Sequence, residues 1–551
     1  MEPALSLGSV PFRTPLLLEL DLTEVPVTPD PDDPLGRLRN RGRRQLRPTL
    51  KALYEAGDDS RVVGLITKVG GALPWATMQE LRLGVQAFAR SGKPTVAWAE
   101  SFDDGSAMLT AYTLASAFGE IWLQPGGGIG PLGVGVETTF LRGALDKAGI
   151  EPQFEQRYEY KNAADRIQRT ELTPAHRESL EQLTRSIYAD AVQLIVAGRK
   201  LDQDTLTARM DASPYTAAEA RDAGLVDRLG YRDEVYASVR SRFPTTPELL
   251  FADRWKPARR PSWPKRPRGH VALVEARGAI VSGRSRRSLG GRQVGSDTVS
   301  AQLRAVREDD RAKAVVLRVD SPGGSAVASE VIWREMVRIR DTGKPVVVSM
   351  GDVAASGGYY ISCPADAILA LPATLTGSIG VFGGKFVVAE LLERLGLTTG
   401  TVQQGERALM YSGRRRFDEQ EQARLAATID AVYADFVAKV ATGRGRPPEE
   451  IEAVARGRVW SGQDAEAAGL VDRLGGLQEA LAEARTRGGL PDDAPVQPAA
   501  RLPVLARLGR PRNSEDPRAV TASAWTGLAD LPATLAELDG LALRMPAIRL
   551  R

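Results

Sequence analysis

Short apolar runs alternate with stretches of helical spacing along most of this chain, a rhythm that predicts layered α/β domains. Pro15-Leu-Leu-Leu-Glu-Leu-Asp-Leu22 predicts a first strand. Further on, Ala314-Val-Val-Leu-Arg-Val319 predicts another. Ala328 to Arg340 then carries apolar Val331, Ile332, Met336 and Ile339 at helical spacing. Gly343-Lys-Pro345 breaks the chain, and Val346–Ser349 and Ala367–Leu371 predict two more strands. Leu172-Thr-Pro-Ala-His-Arg-Glu178 reads as a helix start, with Thr173 as N-cap and Pro174 at the first helical position. No apolar run is long enough to predict a membrane-spanning helix. Met1 to Leu22 lacks the basic start, apolar run and small-residue site of a signal peptide.

The pattern repeats. Ala220-Arg-Asp-Ala-Gly-Leu-Val-Asp-Arg-Leu-Gly230 returns as Ala465-Glu-Ala-Ala-Gly-Leu-Val-Asp-Arg-Leu-Gly475. Tyr188-Ala-Asp190 returns as Tyr433-Ala-Asp435, and Gly92-Lys-Pro94 as Gly343-Lys-Pro345. A period of roughly 250 residues is too long for a solenoid unit and predicts two tandem copies of one domain. The expected boundaries are 1–253 for the first copy, 254–269 for a linker, 270–485 for the second copy and 486–551 for a C-terminal extension. The linker, Arg254 to Gly269, is rich in Pro, Lys and Arg and carries no acid. Plain solvation accounts for its charge; attraction to an anionic membrane surface is the alternative.

Composition narrows the chemistry. With 551 residues, 43% of them hydrophobic, the chain can bury several cores. Its net charge of +4 argues against a dedicated nucleic-acid binder. The single cysteine, Cys363, excludes an intrachain disulfide and reads as a small buried hydrophobe. There are two histidines, His176 and His270, expected at a surface or an element boundary. Neither lies in a motif, so a Ser-His-Asp triad has few candidates.

Two glycine-rich turns directly follow predicted strands: Asp320-Ser-Pro-Gly-Gly-Ser325 and Ala354-Ala-Ser-Gly-Gly358. Ligand sites gather at the carboxyl ends of strands in open α/β sheets. Neither turn has the spacing of a phosphate loop or dinucleotide fingerprint. Glycines there let backbone N–H groups face a substrate carbonyl as an oxyanion hole. Ser356 lies between small residues just before a helix through Tyr359, Tyr360 and Ile361, and reads either as a nucleophile or as an N-cap. In the first copy Gly323 and Gly324 fall on Ala72 and Leu73, and Ser356 on Gly105 or Leu109. Loss of the whole pattern fits a chemical role for it. A serine needs a base, and where histidine is scarce lysine is the natural one. Tyr158-Glu-Tyr-Lys-Asn-Ala-Ala164 offers Lys161, whose partner in the second copy is Glu406. Taken alone, an isolated lysine reads as a solvated surface charge.

These motifs, with Thr376-Gly-Ser-Ile-Gly-Val381 and Tyr160-Lys-Asn-Ala163, resemble those of the signal peptide peptidase A family in its long bacterial form. The resemblance covers roughly residues 15 to 480. It implies a tandem repeat of two α/β domains of the Clp-protease/crotonase superfamily, with the lysine from the first and the serine from the second. It implies Ser356 as nucleophile, Lys161 as general base and acid, and Ser378 as the residue orienting the lysine. Gly357 N–H and a backbone N–H of the Gly323-Gly324 turn would form the oxyanion hole. The implied reaction is endoproteolysis of remnant signal peptides and other extended apolar peptides, by a homotetramer with an apolar groove. No metal or cofactor is implied. The implied location is the bacterial cytoplasmic membrane, with peripheral attachment; a cytoplasmic protein is the alternative. Residues 486–551 fall outside the resemblance: Pro511 to Pro517 reads as flexible. Ala522 to Leu543 has helical spacing at Leu531, Leu535 and Leu538, expected as a packing helix or tail rather than a membrane-surface segment. Two other functions stay open at this point: a crotonase-type acyl-CoA enzyme and a catalytically silent peptide-binding scaffold.

Overall fold

The computed structural model describes residues 14–27, 42–103, 108–257, 269–288, 291–499 and 542–544. The core of the basic linker, Gly105, and the Pro511–Pro517 segment lie outside the described residues. So does most of the helical spacing after Ala522; its end, Ala542–Arg544, is a short strand. Among the described residues no helix is long and apolar enough to cross a membrane.

The chain divides into two compact units. One comprises Met1–Asp30, Leu35–Gly133 and Ala189–Trp263; the other comprises Pro31–Pro34, Val134–Tyr188 and Pro264–Arg551. The segment Val134–Tyr188, which carries Lys161, therefore belongs to the same unit as Ser356.

The first unit is built on β1 (Leu16–Leu22), β2 (Val62–Val69), β3 (Thr95–Ala99) and β4 (Glu120–Leu123), all parallel neighbours. Arg228–Leu229 and Glu248–Phe251 flank them at the two edges. Parallel strands are covered on both faces, so they read as near-continuous apolar runs. Leu17, Leu18, Leu65, Ile66 and Val96 are accordingly buried. Helix α1 (Trp75–Ala89) turns Met78, Leu81, Val85 and Phe88 into this core.

In the second unit, β5 (Glu151–Arg157) leads through a turn to the short helix α2 (Asp165–Gln168) and into the long helix α3 (Pro174–Arg199), whose residues from Ala189 onward are assigned to the first unit. The main sheet sets β6 (His270–Arg277), β7 (Ala312–Ser321), the long strand Val346–Ala355 and the short strand Leu375–Gly377 side by side. With β8 (Gly323–Ser325) following β7, these last two become β9 and β10. A second sheet contains β8, then Ala542–Arg544, then β11 (Val381–Val387), then β5. Val315, Leu317, Val348 and Met350 fill the core between the main sheet and its helices. Helix α4 (Ala326–Arg340) begins at Ser325, whose side chain accepts from the Ala328 N–H.

Three sequence expectations change here. Val331 is 42% exposed, because the inward stripe of α4 is Ala328, Ile332, Met336 and Ile339 and Val331 lies off it. Glu335 is buried on that helix instead, paired with Arg304, Arg307 and Arg338. Both histidines stand at element boundaries, His176 in the first turn of α3 and His270 at the start of β6, but they are buried there and not at the surface. The other elements stand close to their expected places, including the α3 start at Pro174 and the strand over Ala367–Ala370.

Candidate active site

Strand β9 ends at Ala355, and the chain turns at Ser356 into the short helix α5 (Gly357–Ser362). Ser356 has φ 56° and ψ −115°, a conformation that costs an L-residue on the order of 1–3 kcal/mol. Two backbone bonds hold it there: its N–H donates to Gly377 O at 2.7 Å, and its own carbonyl accepts from Tyr360 N–H at 2.8 Å. The Ser356 side chain makes no capping bond to α5, so the N-cap reading does not describe it. Packing behind it requires glycine. A Cβ on Gly357 would lie 2.7 Å from Ser329 Oγ and 3.1 Å from both Gly323 Cα and Gly324 N. Gly357 and the Gly323–Gly324 turn are thus pressed together beside Ser356. The Gly323 N–H donates to Ser321 Oγ at 3.2 Å.

Lys161 reaches Ser356 from β5. That strand pairs antiparallel with β11, Arg157 opposite Val381 and Glu151 opposite Val387. Phe154 on β5 meets Phe386 of β11 edge to face, ring centroids 5.1 Å apart, and Phe382 at 6.3 Å. The turn after β5 closes with Lys161 N–H donating to Tyr158 O at 3.1 Å. Outside the turn, Arg456 pairs with Glu159 and stacks over the Tyr158 ring. Gly457, φ 88°, lies so close that a Cβ would come 2.5 Å from Lys161 N.

Lys161 and Ser356 are both fully buried. Lys161 Nζ stands 2.9 Å from Ser356 Oγ, from Ser378 Oγ and from Ser378 O. Ser378 follows β10 with φ 48°, and its N–H donates to Arg458 O at 2.6 Å, which turns its carbonyl and hydroxyl together toward the amine. Burial pushes the Lys161 ammonium well below its ordinary 10.5, since desolvation disfavours the charged form. The surface-charge reading of Lys161 is overturned by that burial. All six residues singled out in the sequence lie in the second unit, and Ser356, Lys161 and Ser378 share one cluster. Sequence reasoning missed Gly457 and Ser329, both of which act by shape; no motif marks either.

Cys363 is buried, its Sγ 3.2 Å from Tyr360 O, and burial raises its thiol to about 12, so it is an inert core residue. Among the described residues no group of His, Cys, Asp and Glu is placed to hold a metal ion.

A family model described as peptidase family S49 matches the chain twice, over residues 87–243 and 338–490. Lys161 lies in the first match and Ser356 in the second. Among curated proteins, the chain is 32% identical over 472 residues to the chloroplastic serine protease SPPA of Arabidopsis thaliana, covering 84% of this chain and 67% of that one. It is 34% identical over 449 residues to Protease 4 of Salmonella typhi, covering 79% and 71%. Among solved structures, ClpP1 from Listeria monocytogenes aligns with 38% of this chain and 94% of its own at 17% identity and TM-score 0.24, too low to bear on the function.

Proposed function

We propose a mechanism from one premise: the chain belongs to peptidase family S49 and is a serine protease built as a tandem repeat of Clp-protease/crotonase-like α/β domains. The reading is a Ser/Lys dyad endopeptidase. Its single strongest support is the buried 2.9 Å approach of Lys161 Nζ to Ser356 Oγ.

A neutral amine has two hydrogens and one lone pair. The two hydrogens go to Ser378 O and Ser378 Oγ, which leaves the lone pair facing the Ser356 hydroxyl. Ser356 Oγ attacks the peptide carbonyl as its proton passes to Lys161 Nζ. The carbonyl oxygen becomes an oxyanion between the Gly357 N–H and an N–H of the Gly323–Gly324 turn. The ammonium of Lys161 then protonates the departing amine, and the first product leaves. Lys161, neutral again, takes a proton from water as hydroxide attacks the acyl ester, and it returns that proton to Ser356 Oγ as the ester bond breaks, which frees the second product and restores both residues.

Extended apolar peptides, remnant signal peptides above all, are the proposed substrates. In support, β8 already accepts extended backbone: Ala542–Arg544 pairs with it antiparallel, Leu543 opposite Gly324. Homotetramer assembly and peripheral attachment to a bacterial cytoplasmic membrane complete the reading; sedimentation velocity and vesicle flotation of the purified chain check them. An acyl-CoA enzyme or a silent scaffold gives no reason for a lysine held against this serine.

The test is substitution. Ser356→Ala and Lys161→Ala should each abolish cleavage of an apolar peptide while leaving the folded spectrum and melting curve intact. Activity retained in either variant ends the dyad assignment.

A further inference from the structure

Lys161 has to hold one position to within a fraction of an ångström, yet it sits in a turn, not in a regular element. The side chains around that turn explain how. Asn162 and Asp165 are each only 2% exposed. With the Asn162 amide oriented so that its nitrogen faces both acceptors, that nitrogen donates to Asp165 Oδ2 at 3.1 Å and to Glu159 O at 2.9 Å. One amide therefore ties the residue two before Lys161 to the residue four after it. The backbone repeats the tie: Asn162 N–H donates to Tyr160 O at 2.9 Å and Asp165 N–H to Asn162 O at 3.2 Å.

The Asp165 carboxylate is the point where neighbouring elements converge. Gln156 on β5 donates to Oδ1 at 3.5 Å. His176 in the first turn of α3 brings Nδ1 to 3.8 Å from Oδ2, too far for a hydrogen bond. Burial holds His176 down at about 4, so it stands neutral beside the carboxylate through the working range. Burial raises the Asp165 carboxyl above its ordinary 3.8, with Arg169 and Gln156 acting against that rise, and a buried carboxylate is costly unless it is well hydrogen-bonded. The Asn162 amide is the closest donor to it. The Lys161 amine's lowered affinity for protons follows from desolvation, and the bonds from Asp165 to the turn are geometric ties.

We propose that Asn162 and Asp165 are positioning residues for the general base: their side-chain hydrogen bond braces the turn that aims Lys161 Nζ at Ser356 Oγ. The inference rests on the reading of Lys161 as that base. Neither residue touches substrate. A displacement of about 1 Å at a reacting group costs up to about 100-fold in rate.

The experiment measures kcat and KM on one apolar chromogenic peptide for Asn162→Ala, Asn162→Asp, Asp165→Ala, Asp165→Asn and the exchanged pair Asn162→Asp with Asp165→Asn, with Lys161→Ala alongside. Asn162→Ala and Asp165→Ala should lower kcat on the order of 10- to 100-fold with KM little changed. Asp165→Asn keeps an acceptor oxygen for Asn162 and should retain most of the rate, with the pH profile unmoved. The exchanged pair restores a donor and an acceptor in reverse and should recover much of what Asn162→Asp alone loses. The proposal is overturned if Asn162→Ala keeps kcat within twofold of the parent, or if Asp165→Asn and Asp165→Ala are equally impaired. A shifted pH profile in Asp165→Asn would also overturn it, since that marks an electrostatic role. If Lys161→Ala itself retains activity, it is the dyad that fails; if Lys161→Ala is dead and Asn162→Ala unaffected, the brace alone fails. Should the alanine variants misfold, the comparison of Asn162→Asp with the exchanged pair still decides: no recovery in the pair overturns the brace.

Discussion

Lys161 is a lysine whose charged form the fold disfavours. In the unfolded chain its amine titrates near 10.5; in the folded one burial moves it far lower. Two consequences follow, and both grow with pH. As the proposed general base it acts only when neutral, so kcat/KM should rise with pH through the lowered value, on the acid side of 10.5. As a stability term, the unfolded state binds the extra proton between the lowered value and 10.5, so stability grows with pH across that window. Unfolding by denaturant at several pH values, for the parent and for Lys161→Met, isolates this term. The parent should gain on the variant as pH climbs toward 10.5, and a flat difference would contradict a desolvated amine. Ser356 and Ser378 share the burden of the site differently: both adopt positive φ, so each side chain is aimed by backbone strain that neighbouring strands sustain.

At the scale of elements, the serine side of the site was legible and the lysine side was not. Strand β9, the glycine turn and helix α5 are consecutive, so local apolar runs and small residues announce them. The turn after β7 is legible for the same reason. Strand β5 is a different case. Glu151 to Arg157 alternates weakly and has mixed polarity, and what makes it a strand is its partner β11, more than two hundred residues onward. Non-local pairing leaves no period in the strand itself. The buried histidines escaped for a related reason, since burial there comes from neighbours remote in sequence. Phe154 measures how much the pairing matters. It is the aromatic knob of β5, set between Phe382 and Phe386. Phe154→Ala should cost about 3–5 kcal/mol if the whole unit feels the cavity, read by denaturant unfolding. It should also depress kcat more than a surface substitution of equal stability cost, because the strand it anchors leads into the turn that holds Lys161, the proposed base.

At the scale of the molecule, the repeat seen in the sequence and the compact units of the structure agree at one boundary and differ at another. Both divide the chain in the basic linker, where one unit ends at Trp263 and the other resumes at Pro264. The units also assign Val134–Tyr188, from the first copy, to the body that holds Ser356. The family resemblance carried the idea that lysine and serine come from different copies, but not that the lysine's whole neighbourhood packs with the serine's. A chain starting at residue 264 should therefore be inactive toward peptides even if it folds. Activity recovered on adding a separate 1–253 chain would measure how far the crossing segment can dock unaided.

That crossing segment also bears on inheritance. In most tandem proteins either copy can be lost, exchanged or duplicated and a working module survives. On the proposed dyad, a recombination event in the linker would yield two fragments, one with Lys161 and no Ser356, the other with Ser356 and no Lys161. The two copies would then not be separable units of descent: Glu406 stands at the repeat position of Lys161, and neither copy could be spared.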